Sequence, residues 1–85
     1  MTDLRREFDQ AAEDSQRLGQ RPDNDTLLKL YALYKQGSEG DVHGDPPGFF
    51  DFVGTAKYEA WGKLKGMKQD EAMQKYVDLV KKLGT

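Results

Sequence analysis

The apolar residues of this chain recur at helical spacing almost from end to end, and a glycine- and proline-rich segment breaks the pattern near its middle. That interruption constrains the fold more than any other feature. Between residues 38 and 50 stand Gly40, Gly44, Pro46, Pro47 and Gly48, a combination that excludes regular helix. Before it, Leu4, Phe8, Ala11, Ala12, Ser15 and Leu18 mark one face of a first helix. Gly19 is expected to stop that helix, with Pro22 as a second breaker. Asp23 or Asn24 then caps a second helix striped by Leu27, Leu30, Tyr31 and Tyr34, flanked by Leu28 and Lys35, with Gly37 its expected end.

Beyond the interruption, Asp51 caps a third helix carrying Ala56, Ala60, Trp61 and Leu64 as far as Gly66. A fourth presents Ala72, Met73, Tyr76, Val77, Val80 and Leu83. Lys68 suits its cap poorly, and Asp70 and Glu71 compensate in the first turn through the helix dipole. No strand pattern competes, and there is no internal repeat. The expected fold is all-α, a four-helix bundle. Short links make helices one and two antiparallel neighbours, and likewise three and four. The long middle segment lets helices two and three run parallel, which leaves the bundle irregular and opens a surface groove.

Eighty-five residues allow one domain, spanning 1–85, with a thin core. Size scaling gives such a chain a folded surface of ~5,100 Å². Charged residues reach 33% and mean hydropathy is −0.86, yet the net charge of −2 and an aromatic content of 11% argue against disorder. Thirteen cations against 15 anions exclude a general nucleic-acid coat. The absence of cysteine excludes disulfides and thiol catalysis, and His43 is the only histidine. Residues Met1–Glu7 lack the apolar run of a signal peptide, and no stretch approaches a membrane span. A soluble, cytoplasmic protein without stable membrane insertion is expected.

Asp41, His43 and Asp45 alternate as ligands of a calcium loop would, but Pro46 and Phe52 stand where the turn glycine and the bidentate acid belong. No metal site is expected. The glycines of the same segment lack a following Gly-Lys-Ser/Thr, so no phosphate-binding loop is read there. Ser15, Ser38 and His43 lack any supporting context for hydrolysis, so the chain does not read as an enzyme.

More telling are helix faces on which aromatic and lysine residues meet. Tyr31 and Lys35 are i, i+4 neighbours, as are Lys57 and Trp61, with Tyr34 and Tyr58 adjacent. Such faces pair a flat stacking surface with a point charge suited to phosphate. The same spacing suits aromatic rings packed in the core with lysine stems along them, and spacing alone leaves both readings open. Charge adds weight to the first. Lys29 and Lys35 have no acid between them, and Lys57, Lys63, Lys65 and Lys68 face only Glu59. Positive charge thus gathers on helices two and three of an acidic chain.

Leu30-Tyr31-Ala32-Leu33-Tyr34-Lys35-Gln36, Gly40-Asp41, Pro47-Gly48 and Gly54-x-Ala56-Lys57-Tyr58-x-Ala60-Trp61-x-x-Leu64-Lys65-Gly66 together resemble the acyl-CoA-binding protein family. Phe8-Asp9-x-Ala11, Leu18, Pro22 and Ala72-Met73-x-x-Tyr76-Val77 extend the match over nearly the whole chain. The resemblance implies an up-down-down-up bundle that binds, sequesters and transports long-chain fatty acyl-CoA thioesters as a cytoplasmic monomer, with acyl-CoA as ligand and no cofactor. It further implies a head-group site of Tyr31, Tyr34, Lys35, Lys57 and Tyr76, groove positions at Phe8, Ala12 and Leu28, and a further ligand-binding position at Ala32. Trp61 matches a packing position. Gln16 takes a binding position where the family commonly has a phosphate-directed lysine, and Pro46, Val53 and Thr55 also replace frequent basic residues. The phosphate component of binding is therefore expected to be weaker than is usual in the family. The other reading of the same groove is a helical protein-interaction module that takes a partner segment.

Overall fold

In a computed structural model that describes residues 2–84, four helices follow one another: α1 (Thr2–Asp14), α2 (Asn24–Glu39), α3 (Phe52–Gly62) and α4 (Gln69–Gly84). Met1 and Thr85, the ends of the expected domain, lie outside the described residues. No strand occurs among the described residues.

Caps account for the helix starts. The Asp23 carboxylate accepts the Thr26 N–H at 2.8 Å, and the Asp51 carboxylate accepts the Gly54 N–H at 2.8 Å. Each satisfies a backbone donor that the first helical turn leaves unpaired. The Lys68 carbonyl accepts the Ala72 N–H at 3.0 Å, which puts Lys68 at the start of α4.

Helix ends differ from the sequence expectation at three glycines. The first helix tightens into a 3₁₀ turn over Ser15–Arg17, and Leu18 is already extended at ψ 138°, so the chain leaves the helix before Gly19. Gly37 does not end α2, which continues to Glu39 and stops at Gly40, whose φ of 82° is a left-handed conformation that glycine adopts without steric cost. Gly37 is a packing position instead. A Cβ there would lie 3.1 Å from both Met73 Cγ and Phe8 Cζ, tighter than ordinary packing, so any side chain would press on these two where they meet the helix backbone. Finally, α3 ends at Gly62, and a tight turn over Lys63–Gly66 leads on to Met67.

Contacts fix the helix directions. Phe8 and Met73 both meet α2 at Gly37, while Tyr76, one turn after Met73, meets Tyr34, one turn before Gly37. So α2 and α4 are antiparallel. Lys57 stands over Tyr31 and Trp61 lies under Lys35, so a step of four along α3 matches a step of four along α2. Those two helices run parallel. Phe8 packs on Gly37 and Tyr34, whereas Ala12, further along α1, lines a cleft with Tyr31, which makes α1 antiparallel to α2. The order is up-down-down-up.

The core lies among α1, α2 and α4. Phe8, Ala11, Leu30, Leu33, Ala72, Met73, Tyr76, Val77 and Val80 form one buried cluster to which α3 contributes no buried residue. Burying Phe8 alone stabilises the fold by about 1.5–3 kcal/mol. Trp61, the one buried residue of α3, donates its indole N–H to the Gly40 carbonyl at 2.8 Å. Gln36, with no exposed surface, donates to Asp41 Oδ1 at 2.9 Å and to the Met67 carbonyl at 2.7 Å. Asp41 also accepts the Gly66 N–H at 2.8 Å, and this bond, ahead of the Gln36 contribution, holds its carboxyl below its ordinary pKa.

This arrangement is thin. The Cα extents are 37 × 31 × 15 Å, and the accessible surface of 6136 Å² exceeds the ~5,100 Å² that scaling assigns to the chain's mass. Part of the excess is apolar: Phe49, Phe50, Phe52 and Val53 leave the crossover and enter α3 between 68% and 85% exposed. The crossover is otherwise tied down by the Tyr58 hydroxyl, which donates to the Gly44 carbonyl at 2.9 Å.

The Gly37 contact yields a direct test. Gly37→Val should destabilise the protein by about 2 kcal/mol through overpacking against Phe8 and Met73. Urea unfolding checks this, and an unchanged midpoint would contradict the packing role.

Candidate functional site

Two recesses border α2, and seven of the ten sequence-derived site residues divide between them, while Phe8, Lys35 and Lys57 line neither. The smaller, of about 350 Å³, is a cleft lined by Ala12, Ser15, Gln16, Leu30, Tyr31, Tyr34 and Tyr76. Five expected residues meet there: Ala12, Gln16, Tyr31, Tyr34 and Tyr76. The larger, of about 670 Å³, is a groove between α2 and α3 that reaches Leu79 on α4. Leu28 and Ala32 line its α2 wall, opposite Ala56, Ala60 and Leu64. Its rim carries Asp25, Lys29, Glu59, Lys63 and Lys75. Groove volume and apolar lining both fit a small-molecule site.

Phe8 lines neither recess. It is fully buried and stacks on Tyr34 with centroids 5.3 Å apart and ring planes at 19°, while Tyr76 meets it edge-on at 5.3 Å. Such aromatic pairs stabilise by about 0.5–1.5 kcal/mol beyond their burial. Phe8 is thus the floor on which Tyr34 rests. Tyr34 itself is 40% exposed, which leaves its outer side open to solvent.

The two expected lysines stand over aromatic rings at the seam between α2 and α3. Lys57 Nζ lies 5.3 Å from the Tyr31 centroid, and Lys35 Nζ lies 4.9 Å from that of Trp61. Both distances lie within cation–π range. These contacts hold the ammonium groups at the helix seam. The seam runs beside both recesses: Tyr31 lines the smaller cleft, while Leu28, three residues before it, and Ala56, next to Lys57 in sequence, line the larger groove. Trp61, 5% exposed, is a packing residue whose ring carries Lys35.

Lys35 has a further partner that sequence reasoning missed. Its ammonium donates to Glu39 Oε2, and His43 Nε2 lies 3.0 Å from Glu39 Oε1. The Lys35 hydrogen bond, with the Lys35 charge and then His43 assisting, holds the Glu39 carboxyl below its ordinary pKa. The signal was present as an i, i+4 Lys-Glu pair, but that pair reads as an ordinary solvated helix face. Also missed were Ala56, Ala60 and Leu64 as groove wall, since their stripe reads equally well as core. His43, Asp41 and Asp45 do not converge: Asp41 is taken up by Gln36 and Gly66, and His43 by Glu39. Among the described residues no three acidic or histidine side chains are grouped to hold a metal ion.

Tyr76 lies at the back of the smaller cleft. Its hydroxyl donates to Ser15 Oγ at 3.3 Å, and burial pushes the phenol above its ordinary pKa. Because the folded value exceeds the unfolded one, the neutral phenol's contribution is complete below the unfolded pKa and is lost as pH rises through the folded one. An alkaline spectrophotometric titration of the wild type minus Tyr76→Phe should therefore show a step above the usual tyrosine midpoint. A difference step at or below that midpoint would refute the burial argument.

The family described as acyl CoA binding protein matches residues 5–80. The chain is 51% identical over 76 residues to acyl-CoA-binding protein homolog 1 of Caenorhabditis elegans, covering 89% of this chain and 88% of that protein. Its fold is similar to the crystal structure of Oryza sativa acyl-CoA-binding protein 2, with a TM-score of 0.89 and 38% identity over 94% of this chain and 89% of that one. The solution structure of the yeast acyl coenzyme A binding protein is similar at a TM-score of 0.73 and 42% identity, covering 89% of this chain and 88% of that one.

Proposed function

The chain belongs to the acyl-CoA-binding protein family, and from that premise we propose how its residues hold the ligand. It binds long-chain acyl-CoA and carries it as the intact thioester. The nucleotide end of the ligand lies along the lysine-and-ring seam. Lys35 and Lys57 neutralise phosphate charge there, while Tyr31 and Tyr34 offer ring surface and hydroxyl donors. Gln16, Ala12 and Tyr76 border the cleft beside it. The acyl chain enters the apolar groove between Leu28 and Ala32 on one wall and Ala56 and Ala60 on the other.

The observation that carries this reading is the adjacency of two unlike environments. A cationic seam with aromatic faces abuts an apolar groove, which matches the two unlike ends of an acyl-CoA. Each methylene removed from water contributes ~0.8 kcal/mol, so a few buried methylenes separate acyl-CoA from free CoA by orders of magnitude. A peptide groove needs no such pairing of lysine with ring. The carrier makes and breaks no bond, acts as a monomer, and uses its four helices as one binding unit. Neither nucleic acid nor a cofactor takes part. No helix among the described residues is long and apolar enough to cross a membrane, in keeping with our reading of a cytoplasmic carrier.

Calorimetry with palmitoyl-CoA, free CoA and palmitate, followed by mass analysis of the recovered ligand, tests the whole. Tight binding of intact thioester is expected; hydrolysis or an absence of binding would overturn it. Lys35→Ala and Lys57→Ala should each weaken palmitoyl-CoA binding with thermal unfolding nearly unchanged, and Ala60→Phe should weaken palmitoyl-CoA while sparing free CoA. Equal affinity in the lysine variants would refute the head-group assignment. With Gln16, Pro46, Val53 and Thr55 uncharged, affinity should fall less steeply with salt than in a lysine-rich relative. A slope as steep as the relative's would contradict that.

A further inference from the structure

Glu39 is well placed to limit the site it borders. The Lys35 ammonium is held between two partners: the Glu39 carboxylate, to which it donates, and the Trp61 ring 4.9 Å away. Glu39 is in turn held on its other oxygen by His43 at 3.0 Å. The fold creates this arrangement. Gly40 ends α2 at φ 82°, and the chain beyond returns His43 to the helix end, with its ring edge-on to Trp61 at a centroid distance of 5.3 Å. Glu39 therefore has a second anchor that an ordinary surface pair lacks, and Lys35 is 23% exposed, more sheltered than a typical surface lysine. The charged and titratable groups described at this corner are Lys35 and Glu39 from α2, His43 from the crossover and Lys57 from α3 one turn back, with Trp61 the uncharged wall.

Resting on the reading of Lys35 as a head-group residue, we propose that Glu39 is an affinity-limiting residue of the site, an internal anion that competes with a ligand phosphate for the charge of Lys35. An ammonium carries a single positive charge, so a carboxylate already paired with it weakens its pull on an incoming phosphate even though donors remain. Binding then weakens an existing ion pair as it makes a new one, and it places the phosphate beside the Glu39 carboxylate. The cost falls on the charged end of the ligand alone. Glu39 thus sets how strongly the nucleotide contributes relative to the acyl chain, at a site that already lacks several cations expected from its resemblance to the family.

The test is a double-mutant cycle read by calorimetry with palmitoyl-CoA at low ionic strength, on wild type, Glu39→Gln, Lys35→Ala and the double variant. Glu39→Gln should bind roughly two- to fivefold tighter, the range that a partly exposed ion pair supplies. The gain should vanish in the Lys35→Ala background and shrink as salt is added. A merely structural Glu39 would move thermal unfolding without this coupling. Unchanged affinity in Glu39→Gln overturns the proposal. So does an equal gain with and without Lys35, because that would be general repulsion rather than competition for one ammonium. Wild-type protein that fails to bind palmitoyl-CoA at all would instead overturn the functional reading on which the proposal rests.

Discussion

The close approach of Phe8 and Met73 to the backbone of α2 at Gly37 organises this molecule. With no side chain on that residue, α1 and α4 both settle against the same turn of α2, and the rings of Phe8, Tyr34 and Tyr76 close over it with centroids 5.3–5.7 Å apart. The hydrophobic core is complete with those three helices. Because α3 is not needed to finish it, α3 can lie along α2 without being drawn down onto α4, and the groove is the space left over. A side chain at Gly37 would press on Phe8 and Met73 and strain the contact on which Tyr34 rests.

What holds α3 is largely directional. Trp61 donates to Gly40, Tyr58 to Gly44, and the turn after α3 is pinned through Asp41 and Gln36. These bonds fix where α3 lies without filling the space beneath it, which a layer of large apolar side chains would do. Ala56 and Ala60 line the opening, and their short side chains leave it unfilled. A recess held open by hydrogen bonds at its ends meets its ligand already formed, and less ordering has to accompany binding. The lysines at the seam are likewise held in advance, Lys57 over Tyr31 and Lys35 over the buried ring of Trp61.

Much of the fold was legible in the chain. Four apolar stripes, a cap at Asp23 or Asn24 and another at Asp51, and a crossover long enough to let α2 and α3 run parallel were legible in the residues, while the up-down-down-up order came from the family resemblance. Gly37 misled because a glycine that ends a helix and one that admits a neighbour are alike in sequence; the difference lies in Phe8 and Met73, remote along the chain and adjacent in space. The stripe of Ala56, Ala60 and Leu64 was equally ambiguous. Periodicity reports which side of a helix is apolar, and that side can close a core or wall a groove. Of the candidate site residues, Tyr31, Tyr34 and Tyr76 meet Ala12 and Gln16 in one cleft, Leu28 and Ala32 lie in the other recess, and Phe8 is buried beneath both tyrosines.

The sequence alone determined that four helices form, where charge gathers, and that lysines recur beside aromatic rings, because these follow from local propensity and i, i+4 spacing. Only the tertiary structure decided that Lys57 of α3 stands over Tyr31 of α2, that the stripes of α2 and α3 leave a groove instead of closing, and that Lys35 is shared between Trp61 and Glu39. Each of these depends on how far apart two helices come to rest. That distance is set by side chains packing across the whole bundle, and no local stretch of sequence carries it.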